Sequence, residues 1–194
     1  MISLLLGIEQ IAKGMINSYD DSVSGCPADE CDSYSKESLF RAIYGSVHVE
    51  HVNYKCNEGC WGRSRGILNG VNEIRFYSPS QGKLDPRLVV HEFGHAFNAS
   101  VYAAMDRVAS PYKDLNRELN VDASFPTRDD AYNGYAGIAY GWQQSKELTP
   151  GEEFADMFVG WAYDTWATDK VGAGTAREAF MSSNMPFWIS MALP

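Results

Sequence analysis

A helix predicted at residues 86–101 constrains the fold of this chain more than any other feature. Asp85 is a suitable N-cap, and Pro86 stands at the first helical position, where its missing N–H costs no hydrogen bond. Apolar residues then recur at helical spacing, and Gly94 is the one residue that weakens the helix. Glycine at that position suggests a close approach by another segment, so we expect a second element to pack there.

The same helix carries His91, Glu92 and His95 in the sequence His-Glu-Phe-Gly-His. Residues i and i+4 lie one above the other on a helix, so both imidazoles can bind one zinc ion. Glu92 then stands beside the metal, where its carboxylate can act as general base and take a proton from zinc-bound water. The chain has only four histidines, so a chance match to this pattern is rare.

A catalytic zinc ion also needs a third protein ligand and one open position. The candidates lie on a second predicted helix, which begins at Thr149 and carries Glu152, Glu153 and Asp156. Glu152 also fits a capping box with Thr149, and in that case Glu153 would be the ligand. The residues by themselves leave both glutamates open.

These residues resemble the gluzincins, the zinc peptidases in which a glutamate on a later helix completes a His-Glu-x-x-His site. The resemblance rests on residues 91–95 and on Glu152 and Asp156, which are four residues apart. It implies that Glu152 binds zinc and that Asp156 supports a metal-binding histidine through a hydrogen bond. It also implies a zincin-like fold, zinc-dependent hydrolysis of peptide bonds, and a peptide or protein substrate.

A tyrosine that stabilises the developing oxyanion is a further implication of the resemblance. The sequence His-Glu-Phe-Gly-His-Ala is similar to that of the lethal-factor group of gluzincins, in which a Tyr-Gly pair precedes the ligand glutamate. The resemblance gives this catalytic role to Tyr140, although Tyr140 is further in sequence from Glu152 than the corresponding tyrosine of that group is from its ligand glutamate. Tyr132 and Tyr135 lie on the same long connection and remain alternatives.

The rest of the chain predicts short strands followed by long helices. Strands are expected at 46–54 and 72–77. Further helices are expected near the N-terminus, at 36–44 and at 176–183. A loop is expected at 19–35 and a turn region at 56–65. Phe154, Phe158 and Trp161 recur at helical spacing and are expected in the core. The strand at 72–77 is either an edge strand that pairs with an extended substrate or an interior strand.

We therefore predict an α+β fold: a small mixed sheet, an active-site helix carrying the histidines, and a second helix carrying the third zinc ligand. Residues 1–194 form one zincin-like domain in this interpretation. Residues 1–70 are a cysteine-containing part of this domain with no assigned role.

Composition and charge limit the partners. The formal net charge is −9, the pI is about 4.8, and no run of Lys or Arg occurs, so neither nucleic acid nor an anionic membrane is expected as a partner. The chain has four cysteines in two local pairs: Cys26, Cys31, Cys56 and Cys60. The pairs predict two disulfides. A structural zinc knot and free thiols are the alternatives. Disulfides would indicate a secreted or extracytoplasmic protein.

Two other functions fit the same residues. A metal hydrolase acting on a non-peptide amide would use the same constellation. A non-catalytic, zinc-stabilised binding or toxin-like module would keep the metal for stability and fill its fourth position with protein. Glu92 favours catalysis, because a purely structural site has no use for a general base. The sequence indicates neither a substrate preference nor an oligomeric state.

Overall fold

Helices make up most of the structure, and a small sheet lies against one of them. The computed structural model describes residues 1–22, 33–53, 62–68, 71–77, 84–114, 150–166 and 173–194. The elements in these segments are α1 (Ile2–Ser22), α2 (Lys36–Tyr44), β1 (Ser46–His51), β2 (Gly62–Leu68), β3 (Val71–Phe76), α3 (Pro86–Ala104), α4 (Pro150–Tyr163) and α5 (Ala173–Ala192). The predicted α+β class is confirmed.

The three described strands form a mixed sheet in the order β1-β3-β2. β1 runs parallel to β3, and Val49 lies opposite Ile74. β2 runs antiparallel to β3, with Gly62 opposite Phe76 and an irregularity in register after Ser64. The predicted small mixed sheet is therefore confirmed, with β3 at its centre.

The central place of β3 decides how the strand at residues 72–77 is to be interpreted. It is an interior strand of the described sheet, so its interpretation as a substrate-binding edge is wrong. Ile74 and Phe76 are fully buried, but burial on one face is common to central and edge strands, so their spacing could not distinguish the two. β2 is an outer strand of the described sheet, and it begins at Gly62, inside the region predicted as a turn.

α3 is the central helix of the core, and its predicted start is confirmed. The Asp85 side chain accepts a hydrogen bond of 2.8 Å from the backbone N–H of Arg87, and Pro86 opens the helix. Buried residues occur along almost the whole of α3, so they cover more than one of its faces. α1, α2, α4, α5 and the sheet supply the surrounding layers.

α4 packs tightly against α3 at Gly94, as the glycine in the predicted helix suggested. A Cβ at Gly94 would lie 3.0 Å from the Cβ of Phe158 and 3.2 Å from the Cα of Ala155. Phe154 and Phe158 are buried as expected, whereas Trp161 is only partly buried. This close contact brings the acidic first turn of α4 beside the histidines of α3.

Two of the other helices, α1 and α5, extend further than the sequence predicted. α1 continues to Ser22, into the predicted loop, and α5 runs from 173 to 192 with Pro186 inside it. α2 covers the predicted residues 36–44, with Ser35 as its N-cap and Gly45, at φ 60°, as its end. In the described segments, none of the helices combines the length and apolar character that crossing a bilayer requires.

Candidate metal centre

Three side chains from α3 and α4 converge at one point. The Nε2 atoms of His91 and His95 lie 3.2 Å apart. The Glu152 carboxylate faces both, with 3.3 Å from Oε2 to the His91 Nε2 and 3.5 Å from Oε1 to the His95 Nε2. The three ligand atoms lie within 4.8 Å of one another, so this group could hold a metal ion.

The spacing of the two imidazoles and the carboxylate is compatible with one shared metal ion. Ligand atoms about 2.0–2.1 Å from a tetrahedral zinc ion lie about 3.3 Å from one another. The two Nε2 atoms are 3.2 Å apart, close to that value, and each lies 3.3 or 3.5 Å from a different oxygen of the Glu152 carboxylate. The Glu152 side chain keeps 50% of its surface exposed, whereas that of His91 keeps 4%.

Each imidazole is held from its far side by a second group. Asp156 on α4 lies 2.8 Å from the Nδ1 of His91, and the Tyr112 hydroxyl lies 2.6 Å from the Nδ1 of His95. When Nδ1 carries the ring hydrogen and donates it outwards, the Nε2 lone pair is free for a metal ion. The two histidines are therefore oriented as ligands.

The charges around the imidazoles favour a cation. Burial opposes protonation of His91, but hydrogen bonds to Asp156 and Glu152 outweigh it and raise the pKa of His91 to about 10. The hydrogen bond to His91 lowers the pKa of Glu152 to about 2. Burial and the neighbouring His91 lower the pKa of His95 to about 4. A metal ion bound by these groups would have to displace the proton from His91.

Glu92 lies beside this group without joining it. Its side chain is buried, and its Oε2 has no hydrogen-bond partner within the described structure. The backbone N–H of Ser64 on β2 donates to the carboxylate. Burial raises the pKa of Glu92 to about 7, against the opposing effect of the charge on His91. The arrangement provides a carboxylate that can both accept and release a proton near neutral pH.

Gly62 allows β2 to approach Glu92 so closely. A Cβ at Gly62 would lie 2.8 Å from the Glu92 Cγ and closer still to Oε1, so a larger residue would displace the carboxylate. Sequence reasoning missed both Gly62 and Ser64, because they lie in a glycine-containing segment that gives no strand signal.

Glu153, the alternative third ligand, has a different environment. It is buried, and its carboxylate accepts a hydrogen bond from Nε of the buried Arg177 on α5. The first turn of α4 thus directs Glu152 to the histidines and Glu153 into the core.

The structure brings together five of the predicted site residues: His91, Glu92, His95, Glu152 and Asp156. Tyr140 and its alternatives Tyr132 and Tyr135 lie outside the described residues, as do the four cysteines. Tyr112 was missed, since nothing in the sequence distinguishes it from the ten other tyrosines.

Glu92 is expected to lower the stability of the metal-free protein at alkaline pH. Its folded-state pKa is raised from 4.5 to about 7, so folding must carry the cost of a buried charge above that pH. Below about pH 4.5 the carboxyl is neutral in both states, and this cost is absent. Glu92→Gln should therefore raise the free energy of unfolding by about 2–3 kcal/mol at pH 8. Most of the gain should be lost by pH 5.

Urea denaturation with a chelator at both pH values measures this difference. Glu178→Gln, which removes one negative charge from a partly exposed position on α5, is the control. If Glu92→Gln raised the free energy of unfolding by the same amount at pH 5 and at pH 8, the prediction would be contradicted.

No family model, no curated protein and no solved structure matches the chain. The functional interpretation therefore rests on the site itself.

Proposed function

We propose that the chain is a zinc-dependent peptidase of the gluzincin type with a zincin-like fold. The observation that carries the proposal is the position of a buried carboxylate, Glu92, beside the group formed by His91, His95 and Glu152. Two imidazoles and one carboxylate are a typical ligand set for a catalytic zinc ion, and they leave a fourth position for water or substrate.

The proposed chemistry divides the work between the metal and the chain. When bound, zinc lowers the pKa of water and polarises the carbonyl group of a substrate. The free Oε2 of Glu92 takes one proton from the attacking water. Glu92 then passes that proton to the amide nitrogen as the C–N bond breaks, so that a carboxylic acid and an amine are released.

The position of Glu92 supports this double role. The N–H of Ser64 restrains the carboxylate, and this leaves Oε2 for the proton. Burial raises the pKa of Glu92 to about 7, and a divalent cation nearby would lower it. The group would then be ionised at neutral pH, as a general base must be.

β2 is the strand best placed to bind an extended substrate. It is an outer strand of the described sheet, and Gly62 brings its backbone against Glu92. A peptide that pairs with its outer edge would contribute main-chain hydrogen bonds and bring its own carbonyl groups near the metal site. In this proposal β2 takes the role that the sequence offered to residues 72–77.

The number of ligands favours catalysis over a structural metal. A structural zinc site is closed by four protein ligands, whereas the described residues bring three together here. The proposed secreted or extracytoplasmic location belongs to the same interpretation and rests on the four cysteines.

Metal removal tests the proposal directly. We expect purified protein to contain about one zinc ion per chain and to cleave members of a fluorescence-quenched peptide library. Cleavage should stop with 1,10-phenanthroline and return when zinc is added. Mass spectrometry of the products would show whether peptide bonds are cut. Absence of zinc even after reconstitution, or hydrolysis that survives the chelator, would contradict the proposal.

A further inference from the structure

The support of His95 differs from that of His91. His91 is held by the carboxylate of Asp156, whereas His95 is held by the phenol of Tyr112 at 2.6 Å. The rings of His95 and Tyr112 are nearly perpendicular, at 88°. A phenol brings no negative charge, so Tyr112 can fix the ring of His95 without adding a further anion to the site.

The segment that carries Tyr112 is folded back onto α3. Asp106 and Arg107 both have positive φ, 51° and 65°, and they reverse the chain just after the helix ends. The side-chain oxygen of Asn98 on α3 then accepts a hydrogen bond of 3.0 Å from the backbone N–H of Tyr112. The Tyr112 ring also packs on Phe154 of α4, with 5.6 Å between ring centroids. Tyr112 therefore contacts both helices that supply candidate ligands.

α5 secures the same segment from the other side. The indole N–H of Trp188, which is fully buried, donates a hydrogen bond of 3.0 Å to Oδ2 of Asp114. Asp114 is itself buried and lies two residues after Tyr112. Buried hydrogen bonds to a charged oxygen are costly to lose, so this contact restrains residues 110–114 strongly.

We propose that Tyr112 is the positioning residue of His95, and that Trp188 on α5 acts on the metal centre through Asp114 and Tyr112. The inference rests on the proposed function in so far as the metal is zinc. The Tyr112 oxygen accepts the hydrogen on Nδ1 of His95, which leaves Nε2 unprotonated and aimed at the metal. Because the contact is on the Nδ1 side of the ring, Tyr112 acts on the metal centre through His95.

Tyr112→Phe is expected to weaken zinc binding by about 10- to 100-fold, the usual effect of removing a hydrogen-bond partner of a metal ligand. The affinity is measured by competition with a chromophoric chelator. The visible absorption spectrum of the cobalt-loaded protein should also change, because it reports ligand geometry. An NMR signal from the Nδ1–H of His95 in the zinc-loaded protein should be slowly exchanging only in the wild type.

Tyr44→Phe is the matched control. It removes a buried hydroxyl that donates to the Phe93 carbonyl, 3.2 Å away on α3, the helix that carries His95. This variant should leave both the zinc affinity and the cobalt spectrum unchanged. A Tyr112→Phe variant with wild-type affinity and spectrum would overturn the inference, even if the wild type binds zinc and cleaves peptides. If the wild type binds zinc but cleaves no peptide, and Tyr112→Phe weakens zinc binding, the inference is supported although the proposed function is wrong.

A double-mutant cycle tests the part played by α5. Trp188→Phe should weaken zinc binding by about 2- to 10-fold, which is less than Tyr112→Phe, since it loosens the segment without removing the hydroxyl. The double variant should bind no more weakly than Tyr112→Phe alone, because both changes act along one line of contacts. Additive losses would overturn the proposed route from α5 through Tyr112.

Discussion

Glu92→Gln is expected to lower peptide hydrolysis by the zinc-loaded protein about 10²- to 10⁴-fold, the range associated with a general base. Glutamine has nearly the same shape, and its carbonyl oxygen can still accept the hydrogen bond from Ser64. It cannot take a proton from water. Zinc affinity should stay within about threefold of wild type, because Glu92 is not among the three ligand residues.

The comparison requires equal zinc loading, so turnover should be divided by the zinc content measured for each preparation. Glu178→Gln is again the control for loss of one charge and should keep wild-type turnover. Retention of more than one tenth of the wild-type rate by Glu92→Gln would rule out Glu92 as the base. Another group would then have to activate the water.

The two expected effects of Glu92→Gln have opposite signs, and together they distinguish function from structure. The variant should be inactive and yet more stable than the wild type at pH 8 without metal. Glu92 is a buried carboxylate with a raised pKa, and its Oε2 has no hydrogen-bond partner among the described residues, so we expect it to reduce stability. Loss of stability together with activity would instead indicate a structural role for Glu92.

Local geometry explains which parts of the site could be predicted from the sequence. His91 and His95 are four residues apart, and so are Glu152 and Asp156. A helix places such pairs on one face whatever the rest of the fold does. The N-cap at Asp85 is a local signal as well. These elements were therefore available without knowledge of the tertiary structure.

The parts that sequence reasoning missed depend on contacts between distant segments. The order β1-β3-β2 is a property of the whole sheet, so the pattern of β3 could not show that it is central. β2 begins with Gly62 and lacks the alternation of a buried strand, which is common for an outer strand. Tyr112 reaches His95 only because positive φ angles at Asp106 and Arg107 reverse the chain.

The choice between Glu152 and Glu153 also depended on tertiary contacts. Both residues lie in the first turn of α4, and local geometry alone allowed either to face α3, although the resemblance to gluzincins implied Glu152. Arg177, 24 residues after Glu153, provides the buried partner that keeps Glu153 in the core. Substitution by glutamine should therefore mainly weaken zinc binding at Glu152 and mainly lower the free energy of unfolding at Glu153.

Glu152→Gln is expected to weaken zinc binding more than about 100-fold, beyond the usual effect of losing a ligand's hydrogen-bond partner. An amide oxygen is a much poorer zinc ligand than a carboxylate, so hydrolysis should also be lost. The stability of the metal-free protein should change by less than about 1 kcal/mol, because the Glu152 side chain is half exposed and its ion pair is screened.

Glu153→Gln should have the reverse profile. It removes the carboxylate charge that pairs with the buried guanidinium of Arg177, so we expect a loss of about 3 kcal/mol in the free energy of unfolding. Zinc affinity of the folded protein should stay within about threefold of wild type, because Glu153 faces away from the imidazoles. Urea denaturation without metal and chelator competition with metal give the two quantities for each variant.

A variant that also removes the positive charge, Glu153→Gln with Arg177→Met, keeps the comparison valid if Glu153→Gln alone folds poorly. Replacing both members of a buried ion pair is often nearly neutral, so this variant should recover much of the lost stability and bind zinc like the wild type. If Glu153→Gln, rather than Glu152→Gln, abolished zinc binding in folded protein, the ligand assignment would be reversed. The first turn of α4 would then have to rotate when the metal binds, since the buried ion pair with Arg177 must break before Glu153 can reach the histidines.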